Sequence, residues 1–503
     1  MTTIGQNTSN RLRMGETTAD EAAPSKAGLA GDASEKGSWA ELFRGGQALY
    51  SMLIIGGIAL NATQVLVIAI IMPTIVADIG GAAYYTWAAM LYTIGSIVGA
   101  SSTGAVWSRF GARKGYALGA SVFALGTTAC ALAPEMFSLI AARGVQGWAG
   151  GLVSGGAFAL ITSLYDARLR TRILAIAQGT FTVCHLSGPI IGGLFAAIDW
   201  WRGSFWLLVP FMLIFAAIAL WKIPARLDTE AERSAVAPLP FLRLAMLAMG
   251  VCAIAATGPV EDARARAVLV VLAVLLVGGT FRLDRGSGNK LFPSHALSLA
   301  VPVGLCLWVL IMHAAGQTAI TLFLPLLLQV VHGVSPLFIN FVTIAISVGW
   351  TVGAFLSSGW SGPRERWALI AGPLIAFAGL ASITALARVS ALELLAFSAF
   401  AMGLGIGVYN VHLVARTMDR APHGEQRSTA AALTSVRSLG TAFGAAIAGV
   451  IANVAGLGDA TEPVAVGEAV STVYLFCLIP FALAALFTWR FTGITLARPA
   501  AAA

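Results

Sequence analysis

The side chains in this chain that could handle protons or bind a polar solute are few, and most of them stand inside long apolar runs. His185 and His313 carry imidazoles, which exchange protons near neutrality when unperturbed. Arg143 and Arg437 are cations placed well within apolar stretches, where an unpaired charge is costly, so each is expected to face the interior and find partners there. His313 and Gln317 are four residues apart and would share one helical face. Asn61, Gln64, Gln146 and Asn410 add amides at comparable depth. The expectation is a polar pathway through Asn61, Gln64, Arg143, Gln146, His313, Gln317 and Asn410, with Arg143, Arg437 or His185 participating in coupling. For each histidine a hydrogen bond between helices is the competing role, and for Arg143 a structural bond to carbonyl groups. No Asp or Glu lies deep in any apolar run, since Asp78, Asp199 and Glu393 all sit near ends.

Other chemistries lack their residues. Cys130, Cys184, Cys252, Cys306 and Cys477 are far apart, with no metal-type spacing, so neither a disulfide framework nor a metal site is expected. No H-E-x-x-H or G-x-S-x-G pattern is present to support a membrane enzyme. Asp199, with Trp200 and Arg202 beside it, offers an acid at one face and reads most simply as a loop contact. A G-x-x-x-x-G-K-[ST] loop is also missing, which argues against ATP-driven work, and no cofactor is expected.

The elements that must position these residues follow from composition. Of 503 residues, 58% are hydrophobic and 11% charged, against about 25% charged in a soluble domain. Such a chain cannot cover itself with polar surface and must expose apolar groups to lipid. Crossing the hydrocarbon takes about 20 apolar residues in a helix, because unpaired backbone groups cannot be left there. The apolar runs then predict fourteen spans, at 47–77, 84–107, 115–133, 136–163, 173–198, 203–221, 241–257, 265–281, 299–330, 335–358, 367–387, 391–415, 428–455 and 470–489. With both termini on one side, 20 loop residues that are Lys or Arg fall on that side; Arg202, Arg264, Arg266 and Arg388 fall on the other. This asymmetry predicts cytoplasmic termini. It also accounts for the net charge of +8 without nucleic acid as a partner. Residues 1–45 are polar and lack the apolar core of a cleaved signal, and they read as a disordered cytoplasmic tail.

Repetition is visible in the spacing. His185, Gly188 and Gly192 in the fifth span have the same offsets as Arg437, Gly440 and Gly444 in the thirteenth. Two related halves separated by the seventh and eighth spans would produce this pattern, and halves of that kind enclose a midplane site in many secondary transporters.

Four motifs carry a family resemblance. Gly104-Ala-Val-Trp-Ser108-Arg109-Phe110-Gly111-Ala112-Arg113-Lys114 offers a glycine for close helix approach, a tight turn at Gly111 and cations at the membrane face. It resembles the G-x-x-x-D-R-x-G-R-R/K loop of the major facilitator superfamily, with Ser108 and Ala112 in place of Asp and Arg. Arg143-Gly-Val-Gln146-Gly resembles that family's R-x-x-Q-G motif. Cys184-His185-Leu-Ser-Gly188-Pro189-Ile-Ile-Gly192-Gly193 is similar to the G-x-x-x-G-P-x-x-G-G motif of its antiporters, with Cys184 at the first glycine; Pro189 should bend the helix. Leu324-Pro325-Leu-Leu-Leu-Gln329, followed by Gly333-Val-Ser-Pro336, resembles a stretch of the fourteen-span drug:proton antiporters, as does the aromatic run from Trp200 to Trp206.

The resemblance implies an all-α polytopic membrane protein with the major facilitator fold: an N-terminal six-helix bundle at 46–222, a linker with two added helices at 223–298 and a C-terminal six-helix bundle at 299–492, followed by a tail at 493–503. It further implies alternating access, a gating loop around Gly104, Ser108, Arg109, Gly111 and Arg113, a small-molecule substrate, a proton gradient as energy source, and a monomer in the inner (plasma) membrane. Within transport, the competing expectation is import or export of one specific metabolite. A transport-inactive sensor would require a larger soluble domain than the 45-residue tail provides.

Overall fold

The computed structural model describes residues 43, 45–165, 167–223, 240–287, 292–293, 295–420, 426–460 and 462–496. The expected tail at 1–45 (apart from residues 43 and 45), most of the stretch joining the sixth and seventh spans, and the end of the chain beyond 496 lie outside these residues. Among the described residues every regular element is a helix. This is the form in which a lipid-facing segment satisfies its own backbone. Ten helices are long and apolar enough to cross a membrane, and two shorter apolar ones accompany them.

In chain order they are α1 (Gly45–Ile79), α2 (Trp87–Ala131), α3 (Met136–Leu164), α4 (Ala167–Ala197), α5 (Trp201–Trp206), α6 (Leu208–Lys222), α7 (Phe241–Ala256) and α8 (Ala263–Arg285). There follow α9 (Pro302–Leu326), extended by a π turn at Leu327–Val331, then α10 (Pro336–Ser357), α11 (Pro363–Leu386), α12 (Leu392–Asp419), α13 (Gln426–Val454) and α14 (Pro463–Leu496). Single-turn helices at Ala82–Tyr84 and Leu457–Asp459 mark one end of the molecule. The other end carries Arg109, Arg113, Arg364 and Arg416 and is called here the basic end.

At 45 residues, α2 would be about 68 Å long if straight, more than twice the hydrocarbon thickness. It is not straight. Gly111 has φ 77° and ψ 159°, outside the helical region and in a range that favours glycine. Trp107 and Tyr116 on its two sides have ring centroids 6.3 Å apart. Nine positions along one continuous helix would separate them by about 13.5 Å, so the chain reverses at Gly111. Gly362, between α10 and α11, repeats the device with φ 60°.

The helices pack in two sets. In the first, α1 lies on α3, α4 and α6, and α2 lies on α3 and α6; in the second, α9 lies on α13 and α14, and α12 lies on α10 and α11. Glycines at matching places in each set let backbones touch. A side chain added at Gly99 would overlap the Trp148 carbonyl, and one at Gly151 the carbonyl of Ser96, which fixes α2 on α3. In the second set Gly353 meets Leu404 and Gly407 meets Trp350, fixing α10 on α12 in the same way. The repeated offsets noted above also have a common geometry. Gly188 and Gly192 of α4 seat against Leu66 and Ile70 of α1, while Gly440 and Gly444 of α13 seat against Ala314 and Ala315 of α9. Pro189 and Gly193 are buried in the same α4 segment, which runs through Pro189 as one helix. Gly104 corrects the expectation attached to it: a side chain there would meet nothing within 4 Å, because α2 turns this position away from its neighbours.

Contacts between the sets run α4 to α10, α2 to α13 and α1 to α9. α7 and α8 form a hairpin docked through α7 onto α13 and α2. Arg243 of α7 donates to Asp284 of α8 in a buried ion pair, and the Phe292 amide donates to the other carboxylate oxygen at 3.0 Å. At 16 residues, α7 reaches about 24 Å, shorter than the hydrocarbon thickness of about 30 Å.

Candidate functional site

Two polar clusters lie inside the helices at mid-depth, one in each set. In the first, α3 contributes Arg143 and Gln146, one turn apart and both fully buried. Arg143 Nη1 donates to Gln146 Oε1 at 2.6 Å and to Gln64 Oε1 of α1 at 3.3 Å, and Nε donates to the Ala88 carbonyl at 3.3 Å. Its guanidinium carbon stands 4.0 Å from the centre of the Tyr92 ring, a cation–π contact. Gln146 Nε2 donates to Thr127 Oγ1 at 2.8 Å, and the Tyr92 hydroxyl donates to Asn61 Oδ1 at 2.6 Å. Asn61, Gln64, Arg143 and Gln146 are therefore one connected network. Two of its donors remain unmade: Arg143 Nη2 and Gln64 Nε2 are buried without a partner, an omission that costs about 1–3 kcal/mol for each group. Turning the Gln64 amide over would set its NH2 against Arg143 Nη1, donor against donor, so the guanidinium fixes the amide's orientation.

The second cluster draws on α9, α10, α12 and α13. His313 is buried; its Nε2 is 3.0 Å from Gln317 Oε1 and its Nδ1 is 3.0 Å from the Tyr409 hydroxyl. With Gln317 presenting its oxygen, Nε2 must donate, and a neutral ring then accepts the Tyr409 proton at Nδ1. Protonating Nδ1 would reverse this bond, with Nδ1–H donating to the Tyr409 oxygen and the hydroxyl proton rotating to another acceptor, so proton uptake here reorients a neighbour. The His313 ring is also set edgewise to Trp350 at 5.7 Å and lies beside Phe481. Arg437 Nη2 donates to Asn410 Oδ1 at 3.3 Å, and its guanidinium carbon is 5.6 Å from the Trp350 ring centre. Gln317, Asn410, Arg437 and Trp350 are partly exposed, although polar groups facing lipid at this depth would be unfavourable, which points them to the interior.

The remaining charges are at the helix ends. Among the described residues the ion pairs are Asp78–Arg202, Arg243–Asp284, Arg388–Glu468 and Arg416–Glu365. Glu365 takes two bonds from Arg416, each 2.5 Å. Arg202 donates to Asp78, at the end of α1, at 2.5 Å, and Trp201 Nε1 donates to the same oxygen at 3.1 Å. Asp199 instead has φ 53°, the turn conformation that starts the reversal into α5. In the loop around Gly111, Arg113 Nε donates to the Ile223 carbonyl at the end of α6 at 2.6 Å, Ser108 bonds its own helix at Ala105, and Arg109 is exposed. His185 lies on α4, but its side chain is outside the described residues.

At the opposite end of the molecule, hydrogen bonds and a ring stack join the two sets. Tyr85 donates to the Leu322 carbonyl at 3.1 Å and stacks on Phe323 at 5.3 Å, and Asn453 Nδ2 donates to the Ala83 carbonyl at 2.6 Å. Gln329 Nε2 reaches Thr74 Oγ1 at 3.5 Å. Sequence reasoning missed Tyr85, Tyr92, Trp350 and Tyr409, whose aromatic character alone reads as core, and Asn340 of α10, buried with neither amide atom bonded. A cavity of about 380 Å³ beside Asp284, Arg285 and His295 touches neither cluster.

Helices that merely pack have little need of buried polar clusters at membrane depth, with unmade donors in the first set and a hydrogen-bonded histidine in the second, whereas a protein that passes solute between two halves does. Transport rather than enzymatic turnover is thus the class. The chain belongs to the Major Facilitator Superfamily, matching it over residues 53–445. It is 34% identical over 438 residues to a probable multidrug-efflux transporter of Mycobacterium tuberculosis, covering 85% of this chain and 92% of the relative. A dehydrocurvularin exporter of Aspergillus terreus is 27% identical over 307 residues, 58% of this chain and 53% of that one. Among solved structures, a D-xylose-proton symporter superposes with a TM-score of 0.62 at 16% identity, covering 88% of this chain and 97% of the other. A bacterial homologue of the human lysosomal transporter Spinster, inward-facing and occupied, gives 0.59 at 16% identity over 90% and 98%. These two likenesses concern the fold.

Proposed function

We propose that the chain exports amphiphilic small molecules across the inner (plasma) membrane in exchange for protons, by alternating access. In this reading fourteen spans, with cytoplasmic termini, form two six-helix bundles at 46–222 and 299–492 joined by a two-helix linker at 223–298. The observation that carries it is the pair of mid-depth polar clusters, one in each helix set, joined across the molecule by contacts gathered at a single end. An end that can part while the basic end closes would expose the clusters to each side in turn. The direction rests on the efflux relatives, and the proton's route rests on His313, whose bond with Tyr409 reverses when Nδ1 is protonated.

The test is reconstitution of the purified chain into liposomes with an imposed pH gradient, following a panel of amphiphilic compounds together with the lumenal pH. Saturable solute movement that dissipates the gradient is expected, and His313→Ala should uncouple the two. Solute movement that is indifferent to the gradient would refute proton coupling. Full proton-dependent transport in His313→Ala would remove that residue from the mechanism.

A further inference from the structure

The charge balance at mid-depth points to the class of solute, an inference that rests on the transport reading above. The ion pairs Asp78–Arg202, Arg243–Asp284, Arg388–Glu468 and Arg416–Glu365 all lie at helix ends, where each arginine has its own carboxylate. Arg143 and Arg437 are different. They meet amide oxygens, a backbone carbonyl and aromatic rings, and no Asp or Glu of the described residues lies within their helices' central turns. A guanidinium held in a medium of low dielectric without counter-charge is a strong attractor for an anion. At Arg143 the attraction also has direction. Nη2 of a fully buried arginine and Nε2 of the fully buried Gln64 bonded to it are both donors without acceptors. An acid group is the ligand that accepts from both and cancels the charge.

We infer that the transported solute is an organic anion, an apolar body bearing one acidic group, whose charge supplies what the protein withholds from Arg143 and Arg437. The acid group binds at Arg143 Nη2 and Gln64 Nε2, while Arg437, partly exposed beside Trp350, draws the anion into the second helix set. Exchange of an anion moving out for a proton moving in carries positive charge inward in both steps. Turnover is therefore electrogenic, whereas one-for-one exchange of a monovalent cation for a proton is electrically silent.

The experiment uses the full chain in liposomes and two probes of matched body and opposite charge, naphthalene-1-sulfonate and naphthyl-trimethylammonium. The sulfonate is expected to move saturably, at least about tenfold faster than the ammonium, and to accelerate when a potassium diffusion potential opposes its charge less. Arg143→Gln should lower sulfonate kcat/KM by about tenfold or more, the scale of a lost charge-assisted bond. Arg143→Lys keeps the charge, should retain part of the sulfonate flux, and controls for folding alongside size-exclusion behaviour. Preferential movement of the ammonium overturns the anion assignment while leaving transport intact. If neither probe moves and no amphiphile moves in the pH-gradient assay, both readings are overturned. Sulfonate flux unchanged in Arg143→Gln and Arg437→Gln also overturns the assignment.

Discussion

Replacing Asp284 with Asn removes the carboxylate that the α7–α8 hairpin is built around. The Arg243 side chain is 10% exposed and that of Asp284 5%, so neither group recovers its hydration when the partner goes. Breaking a buried pair in this way costs about 3–5 kcal/mol, because the surviving charge stays buried. The Phe292 amide loses a charged acceptor as well, though an Asn oxygen can replace it in part. We expect the low end, about 3 kcal/mol, since α8 borders the membrane face. That corresponds to roughly two orders of magnitude in the folding equilibrium. Equilibrium unfolding in mixed micelles, followed by tryptophan fluorescence, measures it directly. The double variant Arg243→Met with Asp284→Leu should recover most of the loss, since apolar pairs of similar size replace buried ion pairs at little net cost. A loss below about 1 kcal/mol in Asp284→Asn, the scale of a solvated pair, would refute the reasoning. A double variant no better than the single one would do so too.

Adding a methyl group at Gly99 forces α2 and α3 apart and should cost about 1–3 kcal/mol; Gly104→Ala, with open space around it, should gain up to about 1 kcal/mol from helix propensity. Thermal unfolding of the two variants in detergent compares them, and equal effects would contradict the packing. Tyr85→Phe removes a donor to the Leu322 carbonyl and should weaken closure of that end by about 1 kcal/mol. The alkylation rate of a cysteine placed at Thr74 should then rise several-fold, and an unaltered rate would argue that this end is held elsewhere. Asp78→Asn, in a pair whose side chains are 32% and 48% exposed, should cost less than about 1 kcal/mol and lose its effect in high salt; a salt-independent loss would mean that the pair is shielded.

The helices were readable because lipid imposes one rule on every crossing, and the reversal at Gly111 because a left-handed turn there favours glycine. Arg143 and Gln146 were readable as a unit, since residues three apart on a helix share a face. Gly188 and Gly440 stood out by their repeated spacing, which their seats on α1 and α9 now explain. Partners distant in sequence were not readable. Asp78 meets Arg202 across 124 positions, and Glu365 meets Arg416 across 51, with nothing local to mark either match. Tyr92 and Tyr409 were hidden for another reason: a buried ring looks like core until the direction of its hydroxyl is known. Gly104 failed because a motif records residue type and not which way the helix turns it.

The closed end joins two side chains to two main-chain oxygens, Tyr85 to Leu322 and Asn453 to Ala83. A carbonyl belongs to every residue, so no ordinary substitution at positions 83 or 322 can delete the accepting half of this latch. Genetic damage to it is therefore one-sided: a screen for variants that leak at this end should recover changes at Tyr85 and Asn453 and far fewer at the positions they grip. The same asymmetry leaves the part-buried position 83 freer to vary than the tyrosine and asparagine, whereas Leu322 stays constrained by the core it is buried in, not by the bond it accepts.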